Sequence, residues 1–474
     1  MVLYIVGHIM TLEGACMILP IIVGFIYGEP HVIISFGIPM LCQLAFGIPV
    51  ILKKPKNTAI YSREGFVSVA LAWIIASLIG ALPFVISGEI PSYVDALFET
   101  VSGFTTTGAT ILNDVESMSR SCLFWRAFTH WLGGMGILVF VLAIISGNDV
   151  RTMHIMRAEC AGPKVGRLVS KSGSSSRILY GIYIGLTLLE MIMLMLGGMP
   201  LYDSIIHACS SAGTGGFSIY SDSIGHYNSL YIEIVIAVFI LLFGVNFNLY
   251  YYLLIKKFSQ VFKNEELRVY FGLVISATAI ITVSVLKYYG NFGSSLRHAF
   301  FMVASTITST GFATADTSQW PVFSQTLLLM LMFVGSCAGS TGGGMKISRW
   351  MILVKSGIKE LRYIMNPRAV VSVKIDGKPV EQDVVRGITS YATLFTMIMM
   401  MSMLLVSLNG YSIEESASGV ITCMNNIGFG VGRLGPAGSF GGMNAFSKIV
   451  FSIDMLIGRL EIYPIFMLFA TRKK

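Results

Sequence analysis

The stretch Val101-Ser102-Gly103-Phe104-Thr105-Thr106-Thr107-Gly108-Ala109-Thr110 lies between two strongly apolar segments. It offers glycines and hydroxyls where a membrane-embedded chain would otherwise place aliphatic side chains. It also recurs. Aligned on Gly108, a second copy is Ser211-Ala-Gly-Thr-Gly-Gly216-Phe-Ser218, a third is Thr306-Ile-Thr-Ser-Thr-Gly311-Phe-Ala313, and a fourth is Cys423-Met-Asn-Asn-Ile-Gly428-Phe-Gly430. The glycines are 108, 95 and 117 residues apart, a near-regular period that signals a repeated architecture. Small residues let backbones approach, and glycine permits φ > 0, so that successive carbonyls can point one way. Four such loops converging on one axis would form a ring of carbonyl oxygens able to replace the water shell of a dehydrated cation. Small-residue helix packing is the alternative, but it does not call for four matching loops.

The elements that must position these loops are membrane spans. The chain of 474 residues is 54% hydrophobic and 12% charged, where about 25% charged is usual for soluble domains. The expectation is an all-α polytopic membrane protein. Ten spans are expected, near Val2–Tyr27, Val32–Leu52, Phe66–Ser87, Cys122–Ser146, Ile178–Leu196, Tyr231–Ile255, Val269–Lys287, Val322–Leu353, Ile388–Leu408 and Phe446–Ala470. Short re-entrant helices are expected at about 92–104, 201–212, 295–307 and 413–424. Non-helical backbone at membrane depth is tolerated where it is buried or lines a wet cavity. Of 33 Lys and Arg, 26 lie in the segments 53–65, 147–177, 256–268, 346–386 and 471–474. That bias places both termini on the cytoplasmic side and the four loops on the outer side.

The net charge of +8 therefore reflects topology, and no nucleic-acid partner is implied. Seven scattered cysteines without a CxxC pair argue against a disulfide framework or a metal site. The first apolar run is followed at once by a second, so it reads as a span and not as a cleaved leader. Gly339-Ser-Thr-Gly-Gly-Gly-Met-Lys346 is a phosphate-loop decoy, because Met345 interrupts the pattern and no strand precedes it. No HExxH, GxSxG or Rossmann fingerprint is present, so the chain reads as neither an enzyme nor a nucleotide binder, and no bound cofactor is expected.

Two features point to control of a pathway. The eighth span is interrupted by Gly335, Gly339, Gly342, Gly343 and Gly344, just before Lys346. Each glycine in a helix costs roughly 1 kcal/mol, so this density marks a break. Arg459 lies within the last span, where a charge is expensive and usually functional. Glu461 should point away from it on a helix, so its partner comes from elsewhere, or it faces water as an electrostatic barrier. Asp95, Glu99, Asp114, Glu116, Asp203, Asp222, Asp316, Glu414 and Glu415 fall on the outer side, either as a cation-concentrating mouth or as solvated loops. Glu13, Glu190, Asp454, Asn246 and Asn248 are polar groups within spans, His130 beside Trp131 reads as packing, and Met397–Met401 as core or lipid-facing.

Together with RAFTHWLGGMGI at 126–137, GSCAGSTGGGMK at 335–346 and IGRLEIYP at 457–464, the four loops make the chain resemble the Trk/Ktr/HKT superfamily, in its bacterial TrkH/TrkG branch. The resemblance covers essentially the whole chain. It implies a helix pair at 1–55 and four pseudo-symmetric helix–pore-loop–helix repeats at 56–160, 161–262, 263–365 and 366–474, around one central pore. It implies potassium ions as substrate, moved through a filter of backbone carbonyls at Thr106, Thr107 and Gly108; Thr214, Gly215 and Gly216; Ser309, Thr310 and Gly311; and Asn426, Ile427 and Gly428. The filter glycines are all present, and the serine associated with sodium transport in some plant members is absent from the first site. The 335–346 loop and Arg459 would gate. A homodimer in the bacterial cytoplasmic (inner) membrane, its surrounding lipid, and a cytoplasmic RCK-type, TrkA-like nucleotide-binding subunit complete the expectation. Sodium- or proton-coupled symport stays open beside channel-like conduction.

Overall fold

The computed structural model describes residues 2–53, 62–134, 136, 172–368 and 371–469. The described residues are mostly helical, with one small antiparallel hairpin that pairs Lys374 with Pro379 and Ile375 with Lys378. The chain opens with a helix pair, Val2–Cys16 continued by Ile18–Tyr27, and Pro30–Leu52. The pair closes on small residues: a Cβ on Gly47 would sit 2.8 Å from the Gly7 carbonyl oxygen, and one on Gly14 would sit 3.1 Å from Gln43.

A three-helix unit then occurs four times. The outer helices are Ser62–Gly80 with Leu82–Ile86, Ser172–Leu196, Glu265–Tyr289 and Gln382–Ser407. The short helices are Tyr93–Phe104, Leu201–Gly213, Phe292–Ile307 and Ile413–Met424, within three residues of expectation at every end. Their starts are written locally. Ser92, Asn291 and Ser412 cap them by accepting backbone N–H groups, Ser412 in a full capping box with Glu415. The inner helices are Arg120–Gly134, Leu230–Phe243, Val322–Val334 and Ala445–Leu460.

Inner helices of 13 to 16 residues reach roughly 20–24 Å at 1.5 Å per residue, short of a hydrocarbon core of about 30 Å. Six described helices, or seven if one bent pair counts as a single span, are long and apolar enough to cross a bilayer. The ten expected spans are therefore not ten continuous helices. Only the eighth was expected to break. The sixth also breaks, at Gly244–Asn246, where Asn246 caps a new helix, Phe247–Leu254, bent by 92°. The tenth breaks at Glu461 and Ile462, with φ of +59° and +68°. The fourth is helical to Gly134, and apart from Gly136 the rest of that expected span lies outside the described residues, as do most of 53–65, most of 147–177 and the tail 471–474.

The core surrounds the short helices. Phe98, Phe104, Ala212, Ala304, Ile307 and Met424 are fully buried. Met397, Met400 and Met401 lie on the exposed side of their outer helix, the lipid-facing alternative, while Met399 packs inward.

Candidate functional site

Each short helix ends in the same way. Thr106, Thr214, Ser309 and Asn426 take left-handed φ of 54°, 53°, 56° and 52°. In every copy this residue donates its N–H to the carbonyl three back, and the next residue donates to the carbonyl five back. The second bonds are Thr107 to Ser102 at 2.9 Å, Gly215 to Ser210 at 2.8 Å, Thr310 to Ser305 at 2.8 Å and Ile427 to Thr422 at 3.0 Å. This is the Schellman closure of a helix, here on non-glycine residues that pay a steric cost of about 1–2 kcal/mol each. Several hydroxyls turn back onto the chain: Thr105 bonds Thr107 at 2.8 Å, Thr308 bonds Thr310 at 2.7 Å, and Thr214 and Ser309 donate to the preceding carbonyls at 2.6 Å.

The glycines that follow close a cycle. Gly108, Gly216 and Gly311 have φ of 80°, 83° and 86°. A Cβ on Gly108 would collide with the Gly215 carbonyl oxygen, and one on Gly216 with that of Thr310. One on Gly311 would lie 2.6 Å from Gly428 N, and one on Gly428 would lie 3.2 Å from the Gly108 oxygen. The order of contact is thus repeat 1, 2, 3, 4 and back to 1. Gly428 differs in lacking a left-handed φ. All four glycines line one cavity of about 270 Å³, together with Thr110, Arg126, Ser218 and Tyr220. All twelve residues expected to act together are in or beside this ring, and none of them is ionisable.

His130 backs the ring. Its Nδ1 lies 2.7 Å from the Gly103 oxygen, which only accepts, so Nδ1 carries the proton. Nε2 accepts the Phe217 N–H at 3.3 Å, and the ring occupies the space that a Cβ on Gly215 would need.

Beneath the ring lies the 335–346 loop. Gly335, Gly339 and Gly344 have φ of 70°, 74° and 74°. Gly342 and Gly343 are instead pressed against neighbours: Cβ atoms there would lie 2.8 Å from the Thr308 oxygen and 2.6 Å from the Asn425 oxygen. Gly343 N–H donates to Ser309 Oγ, and Lys346 Nζ donates to the Gly342 oxygen. The broken sixth span grips the same loop, with Cys337 donating to the Gly244 oxygen at 3.1 Å and Phe247 donating to the Gly339 oxygen at 3.0 Å. Arg459 reaches it from repeat 4. Its guanidinium donates to the Thr341 oxygen at 2.7 Å and to the Gly133 and Gly134 oxygens at 2.6 and 2.8 Å. The expected helical geometry around Arg459 needs correction. Its helix stops at Leu460, and Glu461 leaves it in a left-handed conformation to pair with Arg349.

The outer-side carboxylates have two readings in the sequence, a cation-concentrating mouth or solvated loops. Most of the outer carboxylates brace loops. Glu99 is buried against Arg126 at 2.7 Å, Asp95 pairs with Lys448 at 2.6 Å, and Asp203 accepts from Tyr227 at 2.9 Å. Glu116 accepts from Ser221 N at 2.8 Å and Oγ at 2.6 Å, Asp316 accepts the Ser318 N–H at 3.0 Å, and Glu415 accepts the Ser412 N–H at 3.0 Å in the capping box of the fourth short helix. The Glu99–Arg126 pair was missed as part of the site, although each charge lies in the interior of its helix, which was a readable signal.

The TrkH family model, described as a cation transport protein, matches residues 39–473. The chain is 34% identical to the Trk system potassium uptake protein TrkG of Escherichia coli K12, over 99% of this chain and 97% of that protein. It is 35% identical to the Trk system potassium uptake protein TrkH of Salmonella typhimurium, over 98% and 97%. The crystal structure of the potassium transporter TrkH from Vibrio parahaemolyticus superposes with a TM-score of 0.89 at 30% identity, covering 99% of this chain and 98% of that one.

Proposed function

The chain belongs to the TrkH family of cation transport proteins, and from that premise we propose that it is a potassium-selective, channel-like uptake protein of the bacterial inner membrane. The observation that carries this reading is the closed cycle of four glycine loops with matching left-handed turns. In the proposal, a dehydrated potassium ion passes the backbone oxygens of Thr106–Gly108, Thr214–Gly216, Ser309–Gly311 and Asn426–Gly428. Neutral dipoles coordinate it strongly enough to replace water and weakly enough to release it. The membrane potential drives it inward at about 2.3 kcal/mol per charge per 100 mV.

Gating falls to the 335–346 loop and Arg459, which together occupy the space beneath the ring. Gly335, Gly339 and Gly344 supply the turns, Gly342 and Gly343 the close contact with the ring, and Lys346 the anchor. The basic segment 346–386 faces the cytoplasm with both termini and offers a docking surface for an acidic face of an RCK-type nucleotide-binding subunit. The working unit is a homodimer of chains, each divided at 1–55, 56–160, 161–262, 263–365 and 366–474.

A second reading has its own observation. Glu13 and Glu190 are buried carboxyls set against Gln43 and Ser211, Asp454 is buried with one carboxyl oxygen unpartnered, and such groups suit proton binding in a symporter. The test is the full-length protein in a planar bilayer, with potassium on one side and sodium on the other. A reversal potential near the potassium equilibrium value supports the pore. A reversal near zero sinks selectivity by the ring, and flux that needs a proton or sodium gradient moves the assignment to symport.

A further inference from the structure

We propose that Arg126, held by Glu99, is a specificity-determining positioning residue for the four-loop ring. The inference rests on the potassium-selective reading above. Arg126 lies on the inner helix of repeat 1, and its guanidinium spans two loops at the same level. Nη2 donates to Thr110 Oγ1 at 3.3 Å, two residues beyond Gly108, and Nη1 donates to the Ser218 carbonyl oxygen at 3.4 Å, two residues beyond Gly216. Nε donates to Glu99 Oε1 at 2.8 Å, and the guanidinium carbon stands 4.1 Å from the Phe217 ring centroid. Glu99 is itself saturated, accepting Thr110 Oγ1 at 2.9 and 3.1 Å and Ile111 N at 2.9 Å.

The side chains are 2% and 0% exposed, so water does not loosen the pair. As a neutral unit facing the cavity of the four glycines, it acts on a passing cation through geometry more than through net charge. The planar fork of arginine fixes the spacing of two acceptors, which a lysine cannot do. The ion pairs on the outer side that join different elements elsewhere hold other segments. Lys448 joins Asp95 at the start of the first short helix, and Arg297 joins Glu233 and Asn228. Discrimination between ions of one charge depends on the number and placement of the coordinating oxygens. A guanidinium that sets the separation of loops 1 and 2 therefore bears on selectivity before it bears on conduction.

The test compares potassium-to-sodium permeability ratios of the full-length chain in planar bilayers. Arg126→Gln is expected to lower the ratio about tenfold and Thr110→Val a few-fold. Arg126→Lys should fall between Arg126→Gln and wild type, and Arg297→Gln should leave the ratio unmoved. A purely structural role would reduce protein and current together without shifting the reversal potential, and that result overturns the inference. If Arg126→Gln does not fold, Thr110→Val decides, since it removes one hydroxyl without changing volume. A selective wild type with unmoved Arg126 and Thr110 variants sinks this inference alone. A wild type that does not discriminate takes down the functional reading and this inference with it.

Discussion

Between repeats 4 and 1 the outer loops are joined by the Lys448–Asp95 pair, by Phe440 N–H to the Thr110 oxygen at 2.8 Å, and by Asn426 Nδ2 to Thr107 Oγ1 at 3.0 Å. Between 1 and 2 stand the Arg126, Glu116–Ser221 and His130–Phe217 bonds. Between 2 and 3, Ile224 donates to the Ala313 oxygen at 3.1 Å and Arg297 pairs with Glu233 at 2.6 Å. Among the described residues, no hydrogen bond or ion pair joins the outer loops of repeats 3 and 4. A cavity of about 10 Å³, room for roughly one water, opens there between Gln325 and Met332 on one side and Phe429 and Gly432 on the other. That seam is closed by van der Waals contact and, from beneath, by the 335–346 loop, whose Gly343 presses on Asn425 and Asn426. Pseudo-symmetry of the loops thus coexists with one seam that, among the described residues, packing alone closes on its outer side.

The contrast can be broken at the ring first. Gly216→Ala meets both a left-handed φ and the Thr310 oxygen, so potassium uptake in a transport-deficient strain should fall by about a hundredfold or more. Gly428→Ala, with an ordinary φ and its nearest atom at 3.2 Å, should retain a measurable fraction. Equal loss at both positions would remove the asymmetry. Next, a bifunctional thiol reagent bridging Thr317→Cys and Val431→Cys, which face the same cavity, should arrest current about tenfold. The same reagent on Ser223→Cys and Ala313→Cys, across a bonded seam, should change little. Arg459→Ala removes donors to Thr341 and to Gly133 and Gly134, and should raise resting open probability several-fold in single-channel records, about 1 kcal/mol of gating free energy. The smallest effect is expected at Arg297→Gln, which should lower the melting temperature by about 2 °C with flux unchanged, because that pair is partly exposed.

The short helices, their caps and the repeat of the four glycines were legible because they depend on local chemistry: a serine or asparagine before a turn, a glycine where φ must be positive. The breaks at Gly244–Asn246 and at Glu461 were not. Asn246 as a helix cap carried a signal, but an apolar run on both sides masked it. Glu461 carried none, since its left-handed turn is fixed by Arg349 more than a hundred residues earlier. The same holds for the outer carboxylates. Composition alone leaves Glu99 as a mouth charge or a solvated loop residue, and only the tertiary fold brings Arg126 onto it.

The twelve residues of the ring are threonine, serine, glycine, asparagine and isoleucine. Between pH 5 and 9 none of them gains or loses a proton. The ring therefore has no titration curve of its own, and its preference among cations should be flat with pH. Any slope in a flux–pH profile is then assigned to groups that flank it, such as Glu13, Glu190, Lys346 or a partner subunit. On the proposed reading, acidity becomes a probe that separates the element proposed to choose the ion from the elements proposed to decide when it passes.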